Sequence, residues 1–128
     1  MTSELIDRAT NARDRALAPY SGFRVGAALL ARNGTIYDGC NIENASYGLT
    51  VCAERVALLK ALSEGEHEFA AIAIVTNAAT LTPPCGSCRQ FMWEYCGDIP
   101  VHLHSIRGID ATYQLSTLLP HPFDSSNL

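Results

Sequence analysis

The chain has 128 residues, 48% of them hydrophobic and 17% charged, with a formal charge of −4 at pH 7. That length supplies one hydrophobic core rather than two, so a single domain over residues 1–128 is expected. The longest apolar runs, 25–31 and 69–75, hold seven residues each, far below the roughly eighteen a membrane-spanning helix needs, and an acidic surface opposes gripping nucleic-acid phosphates.

At the start, Thr2-Ser3-Glu4-Leu5-Ile6-Asp7 carries acids and no apolar leader core, so a cytoplasmic location is expected. From Glu4 to Ala18, the residues Leu5, Ile6, Ala9, Ala12, Ala16 and Leu17 recur at helical intervals, which predicts a helix with one core-facing stripe. Pro19 ends it, because proline disfavours helical geometry in the residue before it. Phe23 to Ala31 reads as a strand, turned at Asn33-Gly34 into Thr35-Ile36-Tyr37. Asn-Gly between apolar segments signals a hairpin in which both turn residues accept positive φ. The stretch Asn41 to Gly48 is too rich in turn formers for a regular element.

A second helix is expected over 51–63, apolar nearly all round and therefore buried on most sides, with Gly65 closing it. Phe69 to Val75 has the pattern of a central strand covered on both faces. A third helix follows over 85–95, then a strand over 99–105 with His102 and His104 on one face. A short edge strand at 111–114 and a helical turn at 115–119 complete the order. Alternation of strands with buried helices implies an α/β fold. The expectation is a three-layer α/β/α arrangement around a mixed five-stranded sheet.

Five cysteines, an odd number, favour metal binding or catalysis over a disulfide framework. Cys52-Ala53-Glu54 and Pro84-Cys85-Gly86-Ser87-Cys88 both fall at predicted helix starts. Cys85 and Cys88, three apart, share a helix face, whereas Cys52 and Glu54 do not. A centre touched by all four must lie off the helix ends, where positive dipole ends favour thiolates. Three thiolates suit Zn²⁺, and three protein ligands leave the open position of a catalytic site. Glu54 can then shuttle a proton without being a ligand. Three thiolates and one Zn²⁺ sum to −1, so a cation bonded to the sulfurs would help; Arg55 is the candidate, with Gln90 as a further brace. Cys-x-x-Cys alone also fits a redox pair, or a closed structural site using Cys40 or Cys96 as fourth ligand. Both of those read more naturally as small buried apolar residues.

The composite is a known signature of zinc deaminases acting on cytosine or adenine, and the resemblance extends along the chain. Ala18-Pro19-Tyr20-Ser21, Phe23-Arg24-Val25-Gly26-Ala27-Ala28, Asn41 through Thr50, Cys52-Ala53-Glu54-Arg55 and Pro84-Cys85-Gly86-Ser87-Cys88-Arg89-Gln90 resemble the small, homotetrameric, all-cysteine cytidine deaminases. That resemblance implies zinc, one ion per subunit, held by Cys52, Cys85 and Cys88, with Glu54 as proton shuttle. It further implies that Asn41 and Glu43 bond the ribose, that Phe23 packs on the pyrimidine, that Ala53 lines the pocket, and that Tyr47 and Phe123 help close pockets shared between subunits.

The implied reaction is hydrolytic deamination of cytidine and 2′-deoxycytidine, within pyrimidine salvage. A carboxylate facing a sugar selects nucleosides over 5′-phosphates. Two alternatives stand beside it: a deaminase of the same fold acting on a cytosine-containing antibiotic, and a non-catalytic zinc-stabilised interaction domain.

Overall fold

A mixed five-stranded sheet forms the middle of the computed structural model, which describes residues 2–128. The elements are α1 (Thr2–Arg13), β1 (Gly26–Ala31), β2 (Ile36–Cys40), α2 (Ala53–Ser63), β3 (Phe69–Thr76), α3 (Gly86–Cys96), β4 (Pro100–Ser105), β5 (Ile109–Gln114) and α4 (Leu115–Leu118). Strand order is β2-β1-β3-β4-β5. The β3–β4 pair is parallel and the other three are antiparallel. It follows that β2, β3 and β4 run in one direction, and that α2 and α3 both start beyond the carboxyl ends of strands at the same rim of the sheet.

Side-chain alternation splits the core in two. Ala28, Ala71, Ala73 and Val75 face α1 through Leu5 and Ala9. Leu29, Ile72 and Val101 face the opposite way, onto Leu58 of α2, Met92 of α3 and Leu115 of α4. This is the expected three-layer arrangement. Burial removes β3 from solvent on both faces, as its unbroken apolar run predicts.

Two glycines set how closely the layers approach. A Cβ on Gly39 would lie 2.6 Å from the Ala57 nitrogen and 2.8 Å from the Ala53 oxygen of α2; one on Gly26 would run into the Ala9 carbonyl and lie 2.6 Å from the Arg13 nitrogen of α1. These neighbours are backbone atoms and cannot swing aside. Gly39→Ala is expected to cost about 1–3 kcal/mol or more by overpacking, measured as a lower urea midpoint. An unchanged midpoint would contradict the close packing of α2 on β2.

Several boundaries differ from the sequence expectation. The first helix stops at Arg13 rather than Ala18, because Leu17 leaves it to bond across to the loop. The Leu17 amide donates to the Asn41 carbonyl, and Glu43 donates back to the Leu17 carbonyl. Leu17 is consequently 58% exposed, while Ala16 remains buried. The first strand begins at Gly26 rather than Phe23, since the Phe23 carbonyl and the Val25 amide bond to the Asn41 side chain, although the Val25 carbonyl still accepts the Asn41 main-chain amide. The hairpin has a three-residue loop. Gly34 donates to the Ala31 carbonyl, Ala31 donates to Thr35, and only Gly34 among the loop residues takes positive φ (94°). That is the glycine-bulge form of hairpin rather than the two-residue form in which Asn33 would also turn left-handed. On α2, Leu59 is 47% exposed, so that helix is solvated on one side.

Asp38, on the edge strand β2, gathers three cations. Arg8 of α1, Arg15 and Lys60 of α2 reach its carboxylate at 3.2, 3.3 and 3.1 Å. Burial pushes the Asp38 carboxyl up, but bonding to Lys60 and Arg8 outweighs it and holds the group below the usual range. The same cations also take main-chain acceptors of β2: Arg8 Nη2 donates to the Ile36 carbonyl at 3.4 Å and Lys60 Nζ to the Asp38 carbonyl at 2.6 Å.

Candidate metal centre

Cys52 and Cys85 are the N-cap residues of α2 and α3, both in extended conformation, and neither caps its helix with a side-chain bond. Their sulfurs are therefore free to turn outward from the helix ends. Cys88, in the first turn of α3, is fully buried. The three Sγ atoms lie within 4.8 Å of one another, close to the roughly 3.8 Å separation that a tetrahedral Zn²⁺ with 2.3 Å bonds imposes. Among the described residues this is the single such cluster of His, Cys, Asp and Glu groups. Cys40 and Cys96 stand outside it; burial pushes the Cys96 thiol up to about 12. The closed structural site thus lacks its fourth sulfur.

The electrostatics suit a cation. The Cys52 thiol is drawn down to about 5, first by the hydrogen bond from Cys88 and, against burial, also by Arg55. Cys88, which gives that bond, is pushed up. Metal-free, the cluster must share protons among crowded sulfurs, and a divalent ion relieves that crowding. Arg55 supports the same reading. Its Nη2 donates to the Thr50 carbonyl at 3.3 Å and its Nε is buried without a hydrogen-bond partner; burial would lower the guanidinium, but the neighbouring Cys52 outweighs it and holds the group above its usual range. The donor set fits one zinc per chain.

A cavity of about 210 Å³ opens beside the sulfurs, walled by Phe23 and Val25, Asn41 and Thr50, Cys52 to Glu54, Ile74 of β3, and Thr82 to Cys85. Glu54 is 5% exposed. Burial dominates its environment and raises the carboxyl to about 7, with the Cys52 charge adding to the shift. A carboxyl poised there both takes and gives a proton near neutral pH.

Other expected residues are distributed as follows. Asn41 lies in the cavity wall, its amide bonded to Phe23 and Val25 at 2.8 Å each. Glu43 and Tyr47 line an adjoining hollow that shares Thr50 with the main cavity, where Tyr47 meets the edge of Tyr20 with centroids 6.3 Å apart. Phe123 does not line its own chain's cavity. It is exposed on the outer side of α3, where the Gln90 amide donates to its carbonyl and the Trp93 indole to Asp124. Gln90 is thus turned to the tail.

Two residues of the quoted motifs had no role assigned from sequence. Arg89 donates from Nε to the Pro84 carbonyl at 2.7 Å and from Nη1 to Leu118 at 2.8 Å, pinning the turn that presents Cys85. Ser21 bonds to Glu43. The two residues are 22 apart in the chain, so no local signal announces the bond.

Comparison with known proteins agrees with this geometry. Residues 1–102 match the family model described as the cytidine and deoxycytidylate deaminase zinc-binding region. A cytidine deaminase from Halalkalibacterium halodurans is 50% identical over 125 residues, covering 97% of this chain and 95% of the relative. One from Sporosarcina psychrophila is 47% identical over 126 residues, covering 98% and 93%. The crystal structure of cytidine deaminase from Burkholderia pseudomallei superposes with a TM-score of 0.92 at 46% identity, over 96% of this chain and 99% of that one. On sequence, fold and sulfur cluster together, the chain belongs to the cytidine and deoxycytidylate deaminase family.

Proposed function

We propose that this chain catalyses the zinc-dependent hydrolytic deamination of cytidine and 2′-deoxycytidine, in which water and the nucleoside yield the uridine nucleoside and ammonia. The observation that carries the reading is one small cavity whose wall holds both Cys52 and Cys85 of the cysteine cluster and a buried carboxyl tuned near neutrality. Zinc, when bound, supplies a water activated toward attack at neutral pH. Glu54 accepts the proton that the attacking water gives up and delivers it to ring N3; it then takes the second proton, from the hydroxyl added at C4, and passes it to the amino group, which leaves as ammonia as the C4–N bond breaks. The Phe23 ring packs on the pyrimidine, and Ala53 walls the base. Asn41 retains one amide hydrogen and one acceptor position for the sugar, and Glu43 accepts from a sugar hydroxyl.

Arg55 offsets part of the negative charge of three thiolates around one dication, with Gln90 holding the tail behind α3. Arg55→Ala is expected to raise the pH at which turnover sets in and to weaken zinc retention, read from a kcat/KM–pH profile and metal content. Neither quantity moving would remove Arg55 from this role.

Subunit assembly is part of the proposal. Tyr20, Tyr47, Leu49 and Phe123 are large and exposed, and a homotetramer with pockets shared between chains gives them cover. Incubation of the purified protein with cytidine, followed by ultraviolet absorbance and ammonia release, tests the activity; native mass on the same sample tests assembly. A one-zinc preparation that releases no ammonia refutes the reaction, and a single-chain mass refutes the tetramer.

A further inference from the structure

Glu43 stands in a loop that the chain has gone to some length to fix. Its Oε1 accepts the amide hydrogens of Tyr20 at 2.9 Å and Ser21 at 3.1 Å, and its Oε2 accepts the Ser21 hydroxyl. A carboxylate offers about four acceptor positions, so three are filled from within the chain and one remains, on Oε2.

The Ser21 hydroxyl is itself oriented. Its oxygen accepts the Phe23 amide hydrogen at 3.0 Å, which directs the hydroxyl proton away from Phe23 and toward Glu43. Gly22 between them takes φ 71°, where a side chain would strain the backbone, and its amide closes a turn on Ala18 at 2.9 Å. Ser21 and Glu43 both line the hollow beside the main cavity.

We infer that Ser21 is a positioning residue of the sugar subsite: its hydroxyl fixes the Glu43 carboxylate so that a single acceptor position faces the hollow and reads one sugar hydroxyl. This rests on the reading of Glu43 as the sugar-binding carboxylate. The same bond, ahead of the Tyr20 amide, holds the Glu43 carboxyl below its usual range, so the group is ionised where it must accept. Without Ser21, the carboxylate keeps its charge near neutrality but is free to rotate and to hydrate, and the sugar must order it at the moment of binding.

The test compares Ser21→Ala, Ser21→Thr and Glu43→Ala as zinc-loaded full chains, with cytidine as substrate and 2′,3′-dideoxycytidine, which lacks the ring hydroxyls, as alternative substrate or competitive inhibitor. Loss of one hydrogen bond to a charged group corresponds to about tenfold in affinity. Ser21→Ala is expected to raise KM for cytidine about tenfold with kcat within twofold, to leave KM or Ki for the dideoxy analogue unchanged, and to be rescued by Ser21→Thr. Equal weakening toward both ligands, no weakening at all, or no rescue by threonine overturns the inference. Ser21 is exposed, so unfolding is not expected, and a melting curve for each variant separates it from the kinetic effect. If Glu43→Ala leaves KM for cytidine unchanged, the sugar-binding reading has failed. If Glu43→Ala raises KM and Ser21→Ala does not, that reading stands and only the role of Ser21 falls.

Discussion

Changing Glu54 to glutamine is expected to leave one zinc per chain while kcat for cytidine falls by about 10²–10⁴-fold, the usual share of a positioned acid–base group. Glutamine preserves the shape and burial of a side chain that is 5% exposed, but its amide neither accepts a proton from water nor returns one to N3. The cysteine ligands are untouched, so metal content separates lost proton transfer from a lost metal. KM is expected to change much less than kcat, because the step removed belongs to the transition state. The environment sharpens the expectation: burial raises the Glu54 carboxyl to about 7, near the pH at which a shuttle works best. Turnover within tenfold of the parent in a fully zinc-loaded Glu54→Gln protein would dismiss Glu54 as the proton carrier.

Stripping the zinc is the second large effect. Cys52 and Cys85 sit at helix starts without side-chain caps, and Cys88 is buried in the first turn of α3, so the ion ties α2 to α3 at the rim of the sheet. A ligand present at a thousandfold over its dissociation constant stabilises the folded state by about 4 kcal/mol. For a chain of this size that is about 12 °C in Tm. A strong chelator is expected to abolish deamination and lower the melting midpoint by about that much, with both restored by added zinc. Acidification works in the same direction, because protons compete with the metal for sulfur. A chelated, metal-free protein that melts at the parent temperature and still turns over cytidine would overturn the zinc assignment.

Much of the architecture is legible in the residues, for identifiable reasons. The unbroken apolar run of β3, the alternation in β4 and the two cysteine-bearing helix starts are dictated by burial or by metal chemistry, both of which leave periodic or spaced signatures. What escapes is set by partners distant in sequence. Nothing near Ala16 announces that Leu17 will leave α1 to pair with the loop at Ile42. Phe23 and Val25 look like strand residues because they are apolar, yet the Phe23 carbonyl and the Val25 amide are satisfied by the Asn41 side chain. The Asn33-Gly34 pair marks the hairpin correctly but not its loop length, which depends on where Ala31 and Thr35 pair.

The site divides along the same line. Cys52, Glu54, Cys85 and Cys88 could be placed from spacing and chemical type alone. The intramolecular bonds that occupy Asn41, Glu43 and Ser21 could not, because a side chain able to bind a sugar is equally able to bind its own backbone.

The cations gathered at Asp38 have a consequence for how copies of this chain can meet. β2 is an outer strand of the sheet, and an outer strand offers bare carbonyls to any extended segment that drifts alongside. Here two of those carbonyls, from Ile36 and Asp38, are already occupied by Arg8 and Lys60. A second chain seeking to lengthen the sheet at this rim would have to strip both guanidinium and ammonium partners away before forming its first rung. Fibrillar growth through β2 is thereby discouraged, and self-association is left to the other surfaces of the molecule.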